Sequence, residues 1–325
     1  MPLRKIVTTT NVAKQLGKLP ALNTPVMEDI YPQSVRDTHP SSIIKIEEIS
    51  EIVKAVPVVR RGSSSVTIGG KGSSVSYIEV QPVDVNMPVG AHTLNDLKNL
   101  DQNAQQNWLR GRVDYARKII RATSEALCAQ SLSGKINFAM KTDAGLDSYV
   151  IDFGTVSIVT NTKKWDDGAT TLGDIVSYLQ TMAETIEENG AGTEIEFKVG
   201  KKAFAALSAK ILALGNDTRI EAKVDGGTIT LAGYKLTRYA TRYWDPKTKA
   251  YKDVIDPKKV KAVSRDGGFA FRYLAIDDID AGLKALPIYM KALKVEDPSG
   301  WKLMAHSKPL PIPDVKAMAD GTVVS

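Results

Sequence analysis

The sequence predicts an α+β fold. One helical pattern of about 30 residues stands among many short β-rich runs. Helix and strand alternate only in the middle of the chain, and strands then dominate to the end, which argues against a doubly wound parallel sheet. Groups that usually carry chemistry are scarce: one cysteine and three histidines in 325 residues.

That length fits about two domains and a sizeable core. With 43% hydrophobic and 25% charged residues the chain is an ordinary globular one. Cys128 alone cannot build an intrachain disulfide framework, a Cys-rich zinc site or an iron–sulfur cluster. His39, His92 and His306 lie far apart, which disfavours a His-based metal site. The net charge of +6 permits contact with polyanions without arguing for sequence recognition. Apolar runs are short and broken by charges, so no membrane span is expected. Met1-Pro2-Leu3-Arg4-Lys5 does not open a signal peptide, which makes the cytoplasm the default site of synthesis.

Residues 1–45 do not read as the start of a compact domain. Arg4, Lys5, Lys14 and Lys18 precede the first acid, Glu28, and Pro20, Pro25, Pro32 and Pro40 favour extended chain over long helix. The stretch is either a frayed terminus or an arm lying across another subunit. Ile52–Arg60 and Val75–Val83 read as edge strands, demoted by Pro57 and Pro82. Between them Gly62–Ser74 has nine Gly or Ser in thirteen residues, so the pair reads as a two-stranded arm with a flexible tip. Such a hairpin is marginal alone and needs a surface to lie on.

Thr93-Leu94-Asn95-Asp96 resembles a capping box with Asp in place of Glu. From Gln102 to Leu132, Trp108, Leu109, Val113, Ala116, Ile119, Ile120, Thr123, Leu127 and Leu132 recur at spacings of three and four, which predicts a helix ended by Ser133-Gly134. Gly111 weakens its middle by roughly 1 kcal/mol. Its polar face carries Arg110, Arg112, Arg117, Lys118 and Arg121 against Asp114 and Glu125. That face is either solvated or turned toward a polyanion or a partner's acids. Residues 135–160 are β-rich around a turn at Asp143-Ala144-Gly145. Thr171 caps a predicted helix to about Asn189, with Ile175, Leu179, Met182 and Ile186 as its stripe. Glu194–Val199 is strand, Lys201–Leu214 helix ended by Gly215-Asn216, and Thr228–Leu231 with Tyr234–Thr237 a hairpin. Asp297-Pro298-Ser299-Gly300 turns between Ala292–Val295 and Trp301–His306, and Pro309–Pro313 cannot be a central strand.

The sequence holds few groupings that carry chemistry. Gly69-Gly70-Lys71-Gly72-Ser73-Ser74 fails the phosphate-loop pattern, with Ser65 where Gly is needed and Gly72 where Ser or Thr is needed. It breaks the dinucleotide fingerprint at Val75, and no helix is expected to follow. Cys128 sits near the C-terminal end of the long helix, the wrong end to activate a thiolate. No Gly-x-Ser-x-Gly elbow occurs. Asp166/Asp167 and Asp277/Asp278 with Asp280 read as solvated turns or helix starts before they read as metal ligands. Aromatics do not interleave with a basic stripe, so a stacking surface for single strands is weakly supported. An arm, a hairpin and a long rod each leave surface that one chain cannot bury, and stacked copies would cover it.

The order of parts resembles the major capsid proteins of tailed bacteriophages, the lambda-type protein E family with the Hong Kong 97 type fold. Gly69–Ser74 with Val80-Gln81-Pro82-Val83-Asp84-Val85-Asn86 resembles the extended loop and its return strand. The helix with Arg110, Arg112 and Arg117, leaving through Leu132-Ser133-Gly134-Lys135, resembles the spine helix. Tyr149-Val150-Ile151-Asp152-Phe153-Gly154, Trp165–Leu179 and Ser307–Val324 resemble a strand and turn, the axial-domain entry and the closing peripheral strand.

The resemblance implies an N-terminal arm (1–48), an extended loop (49–88), a peripheral domain (89–168), an axial domain (169–288) and a return to the peripheral domain (289–325). It implies hexamers and pentamers closing an icosahedral shell around double-stranded DNA, in a virion, with portal and scaffold proteins as partners, a decoration protein left open, non-specific contact with the packaged DNA, no membrane and no cofactor. The scaffold is expected as a separate protein. Arg60, Arg61, Lys71, Arg110, Arg112 and Arg117 are the inter-subunit contact candidates, against the alternative of exposed solvated cations. The alternative functions are an encapsulin-like compartment of the same fold and, more remotely, a soluble metal-dependent enzyme using Asp277–Asp280.

Overall fold

A computed structural model of the protein describes residues 7–45, 77–213 and 222–325. The N-terminal stretch contains two short helices, α1 (Thr9–Leu16) and α2 (Pro25–Asp29), before strands β1 (Arg36–His39) and β2 (Ile43–Lys45). This departs from the extended chain that the prolines predict. Pro25 occupies the first helical position, where a missing N–H costs nothing and the fixed φ favours a helix start. The β-rich run described from Tyr77 divides at Gln81-Pro82 into β3 (Tyr77–Glu79) and β4 (Val83–Gly90). Helix α3 (Ala91–Lys98) follows at once with Gly90 as its cap. Thr93 therefore lies inside the first turn of α3 and is not the N-cap that the Thr-x-x-Asp pattern predicts.

The long helix α4 runs from Gln102 to Ser131, 30 residues or about 45 Å. Asp101 caps it, its Oδ1 accepting the Ala104 N–H at 2.6 Å. The first half is amphipathic, burying Leu109, Val113, Ala116 and Ile120. From Ser124 to Ala129 every residue is buried. The helix ends where predicted: Gly134 has φ +79, and a Cβ there would sit 2.3 Å from the Gly154 carbonyl oxygen. Conformation and close approach both demand glycine.

Strands β5 (Lys135–Thr142) and β6 (Gly145–Asp152) pair along their whole length as an antiparallel hairpin. After β7 (Ser157–Ile158) comes α5 (Leu172–Glu188), whose cap Thr171 forms a full capping box with Asp174. Then follow β8 (Ile195–Val199), α6 (Lys201–Ala213), β9 (Ala222–Asp225), β10 (Thr228–Leu231) and β11 (Tyr234–Arg238). The predicted stop at Gly215-Asn216 lies outside the described residues. The chain continues through β12 (Arg242–Asp245), β13 (Ala250–Asp253), β14 (Lys259–Ser264) and β15 (Ala270–Leu274). It ends with β16 (Tyr289–Val295), β17 (Gly300–Ser307), β18 (Pro309–Ile312) and β19 (Met318–Thr322).

The largest sheet has seven strands in the order β7-β19-β14-β8-β11-β10-β9. Helices α5 and α6 share one core with it, built from Trp165, Leu179, Met182, Phe197, Leu207, Leu231 and Val260. Complete burial of side chains of this size contributes about 1.5–3 kcal/mol each. Two smaller sheets serve α4. The sheet β16-β17-β4 packs with α1, α3 and the first half of α4 through Val12, Val89, Leu97, Leu109 and Leu303. The sheet β1-β15-β18 packs with α2 and the second half through Met27, Tyr31, Cys128, Leu132 and Phe271. Pro-rich β18 sits at an edge, as Pro309–Pro313 requires. β19 lies beside β14 in the large sheet, so a division at residue 288 would separate these hydrogen-bonded strands.

Candidate assembly surfaces

Arg60, Arg61 and Lys71 lie outside the described residues. The other three candidates lie on α4, and two of them serve the chain's own backbone. Arg110 Nη2 donates to the Lys18 carbonyl at 3.2 Å. Arg117 Nη2 donates to the Pro20 carbonyl at 2.8 Å and to Asp114 at 3.1 Å. Arg112 lies over the Trp108 ring, 5.5 Å from its centroid, one helical turn away. The basic face of α4 is thus in part a clamp on the N-terminal stretch.

The grip tightens further along the helix. Glu125 is buried, and its carboxylate accepts the N–H groups of Val26 at 2.7 Å and Met27 at 2.9 Å. It supplies to α2 the cap that Thr24 does not, since Thr24 makes no capping bond. Burial raises the Glu125 carboxyl above its ordinary range, and the two backbone donors only partly oppose this. Tyr31 Oη and Ser131 Oγ lie 2.7 Å apart, and Arg36 donates to the carbonyls of Met27 and Tyr31. From Pro25 onward the N-terminal stretch is part of the chain's own core.

Four charges then tie this segment to the large sheet. Lys198 Nζ is 2.8 Å from Asp29 and 2.9 Å from Glu196, and Arg265 Nη2 is 2.7 Å from each of the same two carboxylates. Burial by itself would raise the Glu196 carboxyl, but the hydrogen bonds from Arg265 and Lys198 outweigh it and hold it down at about 2.

Three exposed apolar features stand on well-supported pieces of chain. The first is the turn 277–284. Ile279 is 90% exposed, and Leu283, also exposed, has φ +54. A left-handed leucine costs about 1–2 kcal/mol, so the turn must be held. Ala281 and Leu283 donate to the Asp278 carbonyl at 3.1 and 3.2 Å. Lys291 bridges Asp278 at 2.5 Å and Asp280 at 3.0 Å. The second is the ribbon β12–β13, where exposed Trp244 and Tyr251 pair across the strands with ring centroids 5.2 Å apart. Arg242 lies over Tyr251 at 5.8 Å. The third is Leu146 with Val150 on the outer part of the β5–β6 hairpin. Sequence reading missed all three. The available signals were an isolated Ile among Asp277, Asp278 and Asp280, and aromatics flanking the turn at Asp245-Pro246.

The acids weighed as metal ligands have partners of their own. Lys291 holds Asp278 and Asp280, Lys308 holds Asp277, and Ser325 N–H contacts Asp166 at 3.2 Å. Among the described residues no group of three or more His, Cys, Asp or Glu is placed to hold a metal ion. Cys128 is fully buried, and burial raises its thiol well above the ordinary value. No described helix is long and apolar enough to cross a membrane.

The comparison that decides the family is one of sequence. Residues 8–323 match the family described as phage major capsid protein E. The chain belongs to that family. This capsid protein has the Hong Kong 97 type fold, with the long helix, the helix-backed large sheet and the smaller sheets around α4. In fold it is similar to the crystal structure of a putative prophage capsid protein from E. coli CFT073. The two are 18% identical with a TM-score of 0.63, over 98% of this chain and 99% of that one. A phage-related protein from Bordetella bronchiseptica RB50 gives 12% identity and a TM-score of 0.49, over 97% and 96%. An encapsulin complex from Synechococcus elongatus PCC 7942 gives 14% and 0.40, over 97% and 95%. These last two are too distant to establish a shared fold. No curated protein sequence matches the capsid protein.

Proposed function

We propose that this capsid protein forms hexamers and pentamers that close an icosahedral shell around double-stranded DNA, and that it catalyses no reaction. The observation that carries the reading is the family match along residues 8–323. The geometry supports it: Ile279, Leu283, Trp244, Tyr251 and Leu146 are large apolar side chains that a lone chain leaves in water. Each stands on a pinned turn or a paired ribbon, which lowers the entropy cost of docking.

Neighbouring copies cover these side chains in the proposed shell. Arg60, Arg61, Lys71 and Arg112 meet acids of a neighbour there. Each exposed pair is worth about 0–1 kcal/mol, and repetition over many copies makes the sum count. A portal and a scaffold complete the particle, which is made in the host cytoplasm and becomes the virion head. Sedimentation velocity of the purified chain tests the reading. Species of capsomer size are expected at micromolar concentration, and a chain that stays monomeric with a lambda-type scaffold supplied contradicts it.

A further inference from the structure

We propose that the cleft between α1 and the first turns of α4 is a seat for the phosphodiester backbone of nucleic acid, bound without regard to base sequence. The cleft has a volume of about 530 Å³. Three cations line it: Lys14 and Lys18 from the α1 side and Arg110 from α4. The hydrogen bond from Arg110 to the Lys18 carbonyl fixes the guanidinium at the wall and leaves further N–H donors to bind with. The rest of the wall is carboxamide, including Gln102, Asn103 and Asn107, over a floor where buried Gln15 donates to Gln106 at 2.8 Å.

The composition selects the ligand. No carboxylate lines the cleft, and none of its three cations has an ion-pair partner among the described residues. Asp101, next to Gln102, already accepts the Ala104 N–H. In sequence, no acid occurs from Met1 through Met27. Lys, Arg, Asn and Gln are the side chains that contact phosphate oxygens in nucleic-acid complexes. Among the described residues, the cleft offers a protein partner, even an acidic one, no apolar or aromatic side chain to anchor on. The same lack of aromatics leaves nothing to stack on bases, so the contact is with the backbone alone. The inference rests on the shell reading only for the source of the nucleic acid.

The test is fluorescence anisotropy of the full chain with a labelled 20-base-pair duplex of mixed sequence over a salt series, at roughly 50–200 mM. The variants are Lys14→Gln/Lys18→Gln and the charge-matched Lys223→Gln/Lys258→Gln, whose sites are exposed and lie outside the cleft. Each phosphate contact contributes about 0.9 to the slope of log K against log salt. The cleft variant is expected to lose about 1.8 from that slope and about tenfold to a hundredfold in affinity at 0.1 M salt. The charge-matched variant is expected to keep more of both. Equal losses in the two variants, an unchanged slope in the cleft variant, or no duplex binding by the unaltered chain would each overturn the proposal. So would a glutamate decamer that binds the cleft more tightly than the duplex. Circular dichroism of both variants checks that the chain still folds. Negative-stain images of the same proteins produced with a lambda-type scaffold separate the two readings: shells with an unchanged slope refute the cleft alone, and absence of shells from the unaltered chain refutes the shell.

Discussion

Glu125 Oε1 accepts the Val26 N–H at 2.7 Å across 99 residues of sequence. The long helix thereby caps a short one that has no side-chain cap of its own. Removing the carboxylate leaves two buried N–H groups without an acceptor, and each such loss costs about 1–3 kcal/mol. Glu125→Ala is expected to lower unfolding stability by about 2–4 kcal/mol, and Glu125→Gln by less, because one acceptor survives. Urea denaturation at neutral pH reads both. Equal midpoints for Glu125→Ala and the unaltered chain would refute the capping role.

The joint formed by Asp29, Glu196, Lys198 and Arg265 predicts sensitivity to acid. The Glu196 carboxyl is held down at about 2, below its unfolded value near 4.3. A group with a depressed native value contributes stability above the unfolded value and loses it as pH falls toward the native one. Asp174, bonded by Lys163 and Thr171, and Asp266, bonded by Ser264 and two backbone N–H groups, also lie at about 2 and act in the same direction. The urea midpoint is therefore expected to fall from about pH 4.5 to pH 2, and Glu196→Gln is expected to flatten some of that slope. An identical pH profile in the variant contradicts the joint.

Gly111 makes the opposite kind of prediction. It sits within α4, and a Cβ built on it meets nothing within 4 Å. Alanine there removes a helix cost of about 0.5–1 kcal/mol. Gly111→Ala is expected to raise Tm by a few degrees. A lower Tm would mean that the helix is not the one described.

Much of this fold is legible in the sequence because its signals are local. The spacing of Leu109, Val113, Ala116 and Ile120 predicts α4 to within one residue of its observed end, and Gly134 marks that end for a reason visible in its φ. Thr171 and Asp174 are three residues apart, so their capping box can be read directly. Where the partner is distant, reading fails. Arg110 and Arg117 look like a solvated or interfacial stripe because the carbonyls they hold, of Lys18 and Pro20, lie more than 90 residues away. Pro25 looks like a helix breaker because the acceptor for the turn it starts comes from Glu125. Ile279 gives no periodic signal at all, since it belongs to a turn.

Ile279 separates folding from assembly. At 90% exposure it contributes little to the stability of one chain, and Ile279→Asp is expected to change it by no more than about 0.5 kcal/mol. In a packed contact between copies the same change places a charge in an apolar site and is expected to abolish capsomers in sedimentation velocity. Unchanged assembly would remove the turn 277–284 from the contact surface.

Electron microscopy of the full chain, produced with a lambda-type scaffold, bears most directly on the whole account. Closed shells of uniform diameter with hexameric and pentameric units are the expected result. Grids without shells or capsomers, from protein that is folded by circular dichroism, would contradict it.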